Sequence, residues 1–170
     1  MLLQEFLERS ADRLPDKVAL VTGKERRSFR EIDEEANQVA RALAESGVAY
    51  GDRVIVLLDN SSEAVSSIFG ILKAGCIFVI INPTIKEDKL AYILNNCRAS
   101  ALITHKSKWA VVSAAKEKAP SVGTLIVVGG TVEPPGESLG YVPWENVLEL
   151  STSRPESKAI DIDLASLIYT

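Results

Sequence analysis

The sequence is poor in the residues that most often carry chemistry. Among 170 residues there is one histidine, His105, and there are two cysteines, Cys76 and Cys97. One histidine excludes a His-built metal site. His105 follows the apolar run SALIT with no Ser, Cys or metal-ligand partner evident beside it, so it reads as a strand-end residue. The cysteines lack CxxC spacing and sit in apolar or helical surroundings. They read as two buried, reduced thiols of a cytoplasmic protein, not as a disulfide or a metal site. GESLG at 136–140 has the G-x-S-x-G spacing, but it lies in a Gly- and Pro-rich surface stretch and not between a strand and a helix, which excludes that nucleophile elbow. No G-x-G-x-x-G follows a strand, so the dinucleotide fingerprint is missing. Gly23-Lys24 lacks the earlier glycine and the following Ser/Thr of a phosphate loop. Gly129-Gly130 follows a strand, but no helix opens behind it, and an ordinary turn is expected. The cationic run KERR reads as a solvated hairpin. Asp161 and Asp163 precede a strand and read as the end of a linker.

Charge of one sign is also lacking. The formal net charge is −4, which gives no electrostatic case for nucleic acid or an anionic membrane. The N-terminus, MLLQEFLERSADRLPDK, has no basic leader, and Glu5 and Glu8 interrupt its apolar residues, unlike a secretion signal. The longest apolar span, Ala64 to Ile81, carries Lys73 in its middle and Gly75 behind it. A charge mid-span is costly in lipid. The span therefore reads as a helix, Ser62 to Ala74, followed by a buried strand, Cys76 to Ile81, and no membrane span is expected.

What is present is an ordinary globular composition, 46% hydrophobic and 25% charged, long enough to bury a core. Leu2, Leu3, Phe6, Leu7 and Ala11 recur at helical spacing until near Pro15. VALVTG and the residues after the GK turn predict a hairpin. Ser28 and Glu31 form a capping-box pair for a helix with Ile32, Ala36, Val39, Ala40 and Leu43 on one face, closed by Gly47. RVIVLLD and CIFVII are apolar on both faces, as in a parallel sheet covered by helices. Helices are predicted over Lys86 to Asn96, with Leu90, Ile93 and Leu94 inward, and over Lys106 to Ala119. SALIT and GTLIVVGG are strands. This alternation predicts an α/β fold with a mostly parallel sheet and helices on both faces. From Gly129 to about Ile160 the chain is rich in Gly, Pro, Ser and Glu. That part reads as a surface excursion holding one short helix, WENVLEL. DLASLIYT then resumes strand character, and its rising apolar run leads the reader to expect more chain after Thr170. From the residues alone, the reading stops at an α/β domain with no self-contained active site.

Three stretches carry a resemblance that goes further. RSFREIDEEANQVARALAESGVAYGDRVIVLLDNSSEAV comes first. GILKAGCIFVIINPT, with Leu72-Lys73-Ala74-Gly75 before a hydrophobic strand and Asn82-Pro83 after it, is the most specific. DLASLIYT ends the series. In this order and at these distances they resemble the adenylate-forming enzymes: acyl- and aryl-CoA ligases, luciferases and the adenylation domains of peptide synthetases. The form INPTIKEDKLAYIL, where peptide-synthetase domains place Asp-Pro and a Tyr-Pro, is more similar to the CoA ligases. The resemblance implies that residues 1–170 are the N-terminal subdomain of a larger ligase using ATP, Mg²⁺ and CoA on a carboxylic acid. It also implies that Tyr169 and Thr170 begin a phosphate-binding loop, the rest of which, with the metal-ligating acid and the catalytic Lys, lies downstream. This chain alone is then expected to be inactive, to pair with the rest of its own polypeptide and to self-associate through surface left uncovered. A free-standing binding module, or an adenylation domain that hands its acyl group to a carrier protein, are the alternatives.

Overall fold

The structure is a computed structural model that describes residues 1–133 and 140–169. The chain opens with helix α1 (Leu3–Arg13) and a two-stranded antiparallel hairpin, β1 (Val18–Thr22) and β2 (Glu25–Ser28). Gly23 turns the hairpin at φ +60°. The cationic run beside it is not wholly solvated: Arg27 pairs with Glu35, a carboxylate buried in the following helix. Burial raises the Glu35 carboxyl above its usual range, and Arg27 opposes that shift.

Helix α2 (Phe29–Glu45) starts where expected. Ser28 Oγ accepts the Glu31 N–H while the Glu31 carboxylate accepts the Ser28 N–H, a complete capping box. Strand β3 (Arg53–Leu57) follows, then α3 (Ser62–Lys73), capped by Ser61 Oγ accepting the Ala64 N–H. Next come β4 (Ile77–Ile80), α4 (Glu87–Asn96), β5 (Ala101–His105), α5 (Trp109–Glu117) and β6 (Thr124–Val128). Strand β7 (Gly140–Pro143) and the short helix α6 (Trp144–Val147) close the series. The expected helix over Lys106 to Ala119 begins instead as a single 3-10 turn, Lys106–Lys108, before α5.

Among the described residues the main sheet has five parallel strands in the order β4-β3-β5-β6-β7. Period-two alternation divides its core into two layers. Ile55, Leu57, Leu102 and Leu125 face α4 and α5, where Leu90, Ile93, Leu94 and Val112 meet them. Val54, Val56, Ile103 and Ile126 face α2 and α3, against Val39, Leu43 and Ile71. Helices thus cover both faces, as the two-face apolar strands require. Each such fully buried aliphatic side chain contributes roughly 1.5–3 kcal/mol.

Three features differ from the sequence expectation. Within the Gly129–Ile160 excursion, Gly140–Pro143 joins the sheet as its outer strand, and an edge position tolerates the proline. Part of that excursion, residues 134–139, lies outside the described residues. Strand β4 is not buried on both faces, since Ile80 is 52% exposed at its carboxyl end. And the described part of DLASLIYT, residues 163–169, forms no ladder. It runs parallel to β4 at one bridge, Phe78 with Ser166, where Phe78 N–H donates to Ala165 O and Leu167 N–H donates to Phe78 O.

Candidate functional site

In a parallel sheet the loops that can bind ligands gather beyond the carboxyl ends of the strands. Two such ends meet here. Beyond β4, Asn82 Oδ1 accepts from the backbone N–H of Thr84 at 2.9 Å and from its hydroxyl at 2.8 Å, a local turn that redirects the chain into α4. Pro83 fixes the backbone at that bend. Beyond the Ser166 bridge, Tyr169 lies against the same turn. Asn82, Thr84, Ile85, Lys89 and Tyr169 border a common cavity of about 400 Å³. The two strand ends singled out from the sequence are therefore brought together.

The Tyr169 phenol is already engaged. Its hydroxyl donates to Asn96 Oδ1 at 2.6 Å, at the last residue of α4. Burial raises its pKa, with Cys97 nearby adding to the shift. So the ring holds the segment against α4, and its hydroxyl is not free for a ligand in this arrangement. Thr170, the other residue the resemblance singles out, lies outside the described residues.

The strand order reverses between β3 and β5, and a second cavity of about 500 Å³ sits at their carboxyl ends. His105 borders it. The sequence reading placed no partner beside this histidine. The structure supplies one: Ser107 Oγ lies 2.9 Å from His105 Nδ1, and the Ser107 N–H donates to the same nitrogen at 3.1 Å. This is a cap on the 3-10 turn. On its other side the ring packs against Gly129, where a Cβ would come within 2.3 Å of Nε2. Gly129 and Gly130, with φ of +87° and +113°, form a turn that leaves room for the imidazole.

The remaining candidates are structural. Asp163 accepts the Ile160 N–H at 2.8 Å and the Tyr50 hydroxyl, and these bonds lower its carboxyl pKa, the backbone one most. It ends the linker, as expected. Cys76 and Cys97 are buried and free. Burial, with Asp52 adding, pushes the Cys76 thiol up to about 11, and burial also raises Cys97. Among the described residues no group of three His, Cys, Asp or Glu side chains is arranged to hold a metal ion. Among the described residues no helix is long and apolar enough to cross a membrane.

Comparison with known proteins places this geometry in context. The family described as AMP-binding enzyme matches residues 7–170. Bacitracin synthase 1 of Bacillus licheniformis is 40% identical over 102 residues, covering 60% of this chain and 2% of its own length. A medium/long-chain-fatty-acid–CoA/3-oxocholest-4-en-26-oate–CoA ligase of Mycolicibacterium smegmatis is 29% identical over 168 residues, covering 99% of this chain and 30% of its own. The crystal structure of the anthranilate CoA ligase AuaEII in complex with anthranoyl-AMP superposes with a TM-score of 0.89 at 33% identity. That match covers 100% of this chain and 32% of the ligase. The chain thus spans a third or less of each protein it matches here.

Proposed function

The chain belongs to the AMP-binding enzyme family, and from that premise we propose that it is the N-terminal subdomain of an ATP-dependent, AMP-forming acid–CoA ligase. Residues 1–170 form the subdomain in this reading, with 129–160 as its excursion. In the first step a carboxylate oxygen bonds to the α-phosphorus of ATP and the bond to pyrophosphate breaks. In the second, the thiolate of CoA attacks the acyl carbon and AMP leaves. The observation that carries the reading is the likeness over the whole chain to a ligase solved with an acyl adenylate. The Asn82-Pro83 form of the turn after β4 supports it. A cytoplasmic setting is supported by the two free, buried thiols.

The described residues supply a frame for this chemistry. They hold no carboxylate set suited to Mg²⁺. Tyr169, tied to Asn96, would fix where the phosphate-binding loop begins, with Thr170 as the next residue. Such a loop binds phosphate through backbone N–H groups and hydroxyls.

A second reading rests on the 40% identity with bacitracin synthase 1. In that reading the acyl group passes to a carrier protein in place of CoA. Pyrophosphate exchange on the longer polypeptide, across a panel of aryl and fatty acids, tests both. Acid-dependent exchange followed by an acyl-CoA product supports the ligase. Exchange with acyl transfer only to a carrier protein selects the second reading, and no exchange with any acid overturns both. The 170 residues alone are expected to show no exchange above blank, and acid-dependent exchange by them would defeat the subdomain assignment.

A further inference from the structure

After α6 the chain leaves the β7 side of the sheet and returns at the opposite edge, where Ala165–Leu167 meets β4. Residues 148–164 therefore form a strap between the two edges. One face of α2 grips its first part. Gln38 Nε2 donates to Leu148 O at 2.6 Å and to Leu150 O at 2.9 Å, and Asn37 Nδ2 donates to Thr152 O at 2.8 Å. Gln38 and Asn37 are buried.

Beneath this grip lies a buried cation. The Lys73 side chain is 1% exposed, and its Nζ donates to Asp33 Oδ1 at 2.8 Å, Asn37 Oδ1 at 2.7 Å and Glu8 Oε1 at 2.9 Å. All three ammonium protons are used. The other Asp33 oxygen accepts from Arg154 of the strap at 3.2 Å, and Arg154 also pairs with Asp12 of α1 at 2.8 Å. These pairs raise the Arg154 pKa and lower that of Asp12. The same Asn37 amide accepts a hydrogen bond from Lys73 on its oxygen and grips Thr152 with its nitrogen. Lys73 thus orients both side chains that hold the strap at Thr152 and Arg154.

An apolar residue at position 73 would serve packing as well or better, because burying an ion pair seldom adds net stability. A buried cation with three satisfied protons is well suited to fixing geometry instead. We infer that Lys73 is a positioning residue: through Asp33 and Asn37 it sets the path of the strap, and so where Ser166 and Tyr169 lie beside β4. Its consequence for catalysis rests on the reading that Tyr169 and Thr170 begin the phosphate loop. The positioning itself does not.

The test uses the full 170-residue chain without nucleotide, so it stands whether or not the ligase reading does. Tryptic cleavage after Lys158 reports release of the strap, and exchange of the Phe78 and Leu167 amides reports loss of the bridge. Lys73→Met and the more accessible Arg154→Met are each expected to speed both by about tenfold or more, the scale of a lost charge-assisted hydrogen bond. Arg154→Lys, which keeps the charge without the fork, should give intermediate rates. Val112→Ala, in the layer on the other face, supplies the control. It should speed exchange of the Leu102 and Ile103 amides and leave the strap signals unchanged. Strap signals in the two Met variants that match wild type, or that merely match the control, would overturn the inference. So would an Arg154→Lys chain as labile as Arg154→Met.

Discussion

At the residue scale, two positions show how packing overrides intrinsic preference. Gly70 lies inside α3 with an ordinary helical backbone, where alanine would normally gain about 1 kcal/mol in propensity. Here a Cβ would stand 2.5 Å from Val39 Cβ and 2.8 Å from the Ala36 carbonyl oxygen. The backbone atom cannot move aside without shifting α2, and overpacking of this kind costs about 1–3 kcal/mol. Gly70→Ala is therefore expected to lower the thermal midpoint, and an unchanged or raised midpoint in a melting experiment would count against the close α2–α3 contact. Cys76 gives a pH signature. Its thiol, at about 11 in the fold, keeps its proton where the unfolded chain, near 8.5, has lost it. The native state then binds more protons than the unfolded state, so stability falls as pH rises from about 8.5 to about 11. Denaturant titrations across that range should show the decline, and Cys76→Ser should flatten it. The native thiol should also resist alkylation at pH 8, where it is almost wholly protonated.

At the element scale, α2 does the most to organise the molecule. It packs on α3, contributes Val39 and Leu43 to one core layer and presents polar residues to the strap. Its start depends on the Ser28–Glu31 capping box. Ser28→Ala removes the side-chain acceptor for the Glu31 N–H and should destabilise the fold by about 1 kcal/mol. A glycine at the same site should lose less, and urea unfolding of the two variants separates them. The cap also carries a pH dependence. The Ser28 N–H and hydroxyl lower the Glu31 carboxyl pKa, so its stabilisation is present above the unfolded carboxylate pKa. It is lost as pH falls through the lower folded value. Strand β7 illustrates the opposite case. Four residues, GYVP, two of them glycine and proline, give no strand pattern of their own. They pair because β6 offers an open edge.

At the scale of the whole molecule, exposed apolar residues collect at the outer edge of the sheet. Ile80 is 52% exposed and Ile168 is 83% exposed. Ile80 and Ile168 each stand two residues beyond the Phe78–Ser166 bridge. Apolar surface of this kind marks an interaction face. At high concentration the 170-residue chain is expected to associate with a second copy through it. Light scattering should detect the dimer, and Ile168→Lys with Ile80→Lys should return the species to monomer. A wild-type chain that stays monomeric, or a dimer that survives both substitutions, contradicts this face.

Much of the architecture was legible in the sequence. Period-two and period-3.6 apolar patterns, the Ser28 cap and the stop at Gly47 are local properties. They determined the helices, the buried strands and the α/β class, because each depends on residues only a few positions apart. Three stretches, of which the one from Leu72 to Pro83 is the most specific, pointed to the family. Local pattern could not determine which edge each strand would take, or that GYVP would pair while LASLIY would make a single bridge. Nor could it show that the charge of Lys73, which spoke against a membrane span, would be satisfied in the core. Its partners come from α1, α2 and, through Asp33, from Arg154, 121 positions away from that aspartate. The engagement of Tyr169 by Asn96, 73 positions earlier, was hidden in the same way. These are contacts between distant parts of the chain. They form only when the layers close, so the tertiary structure decided them.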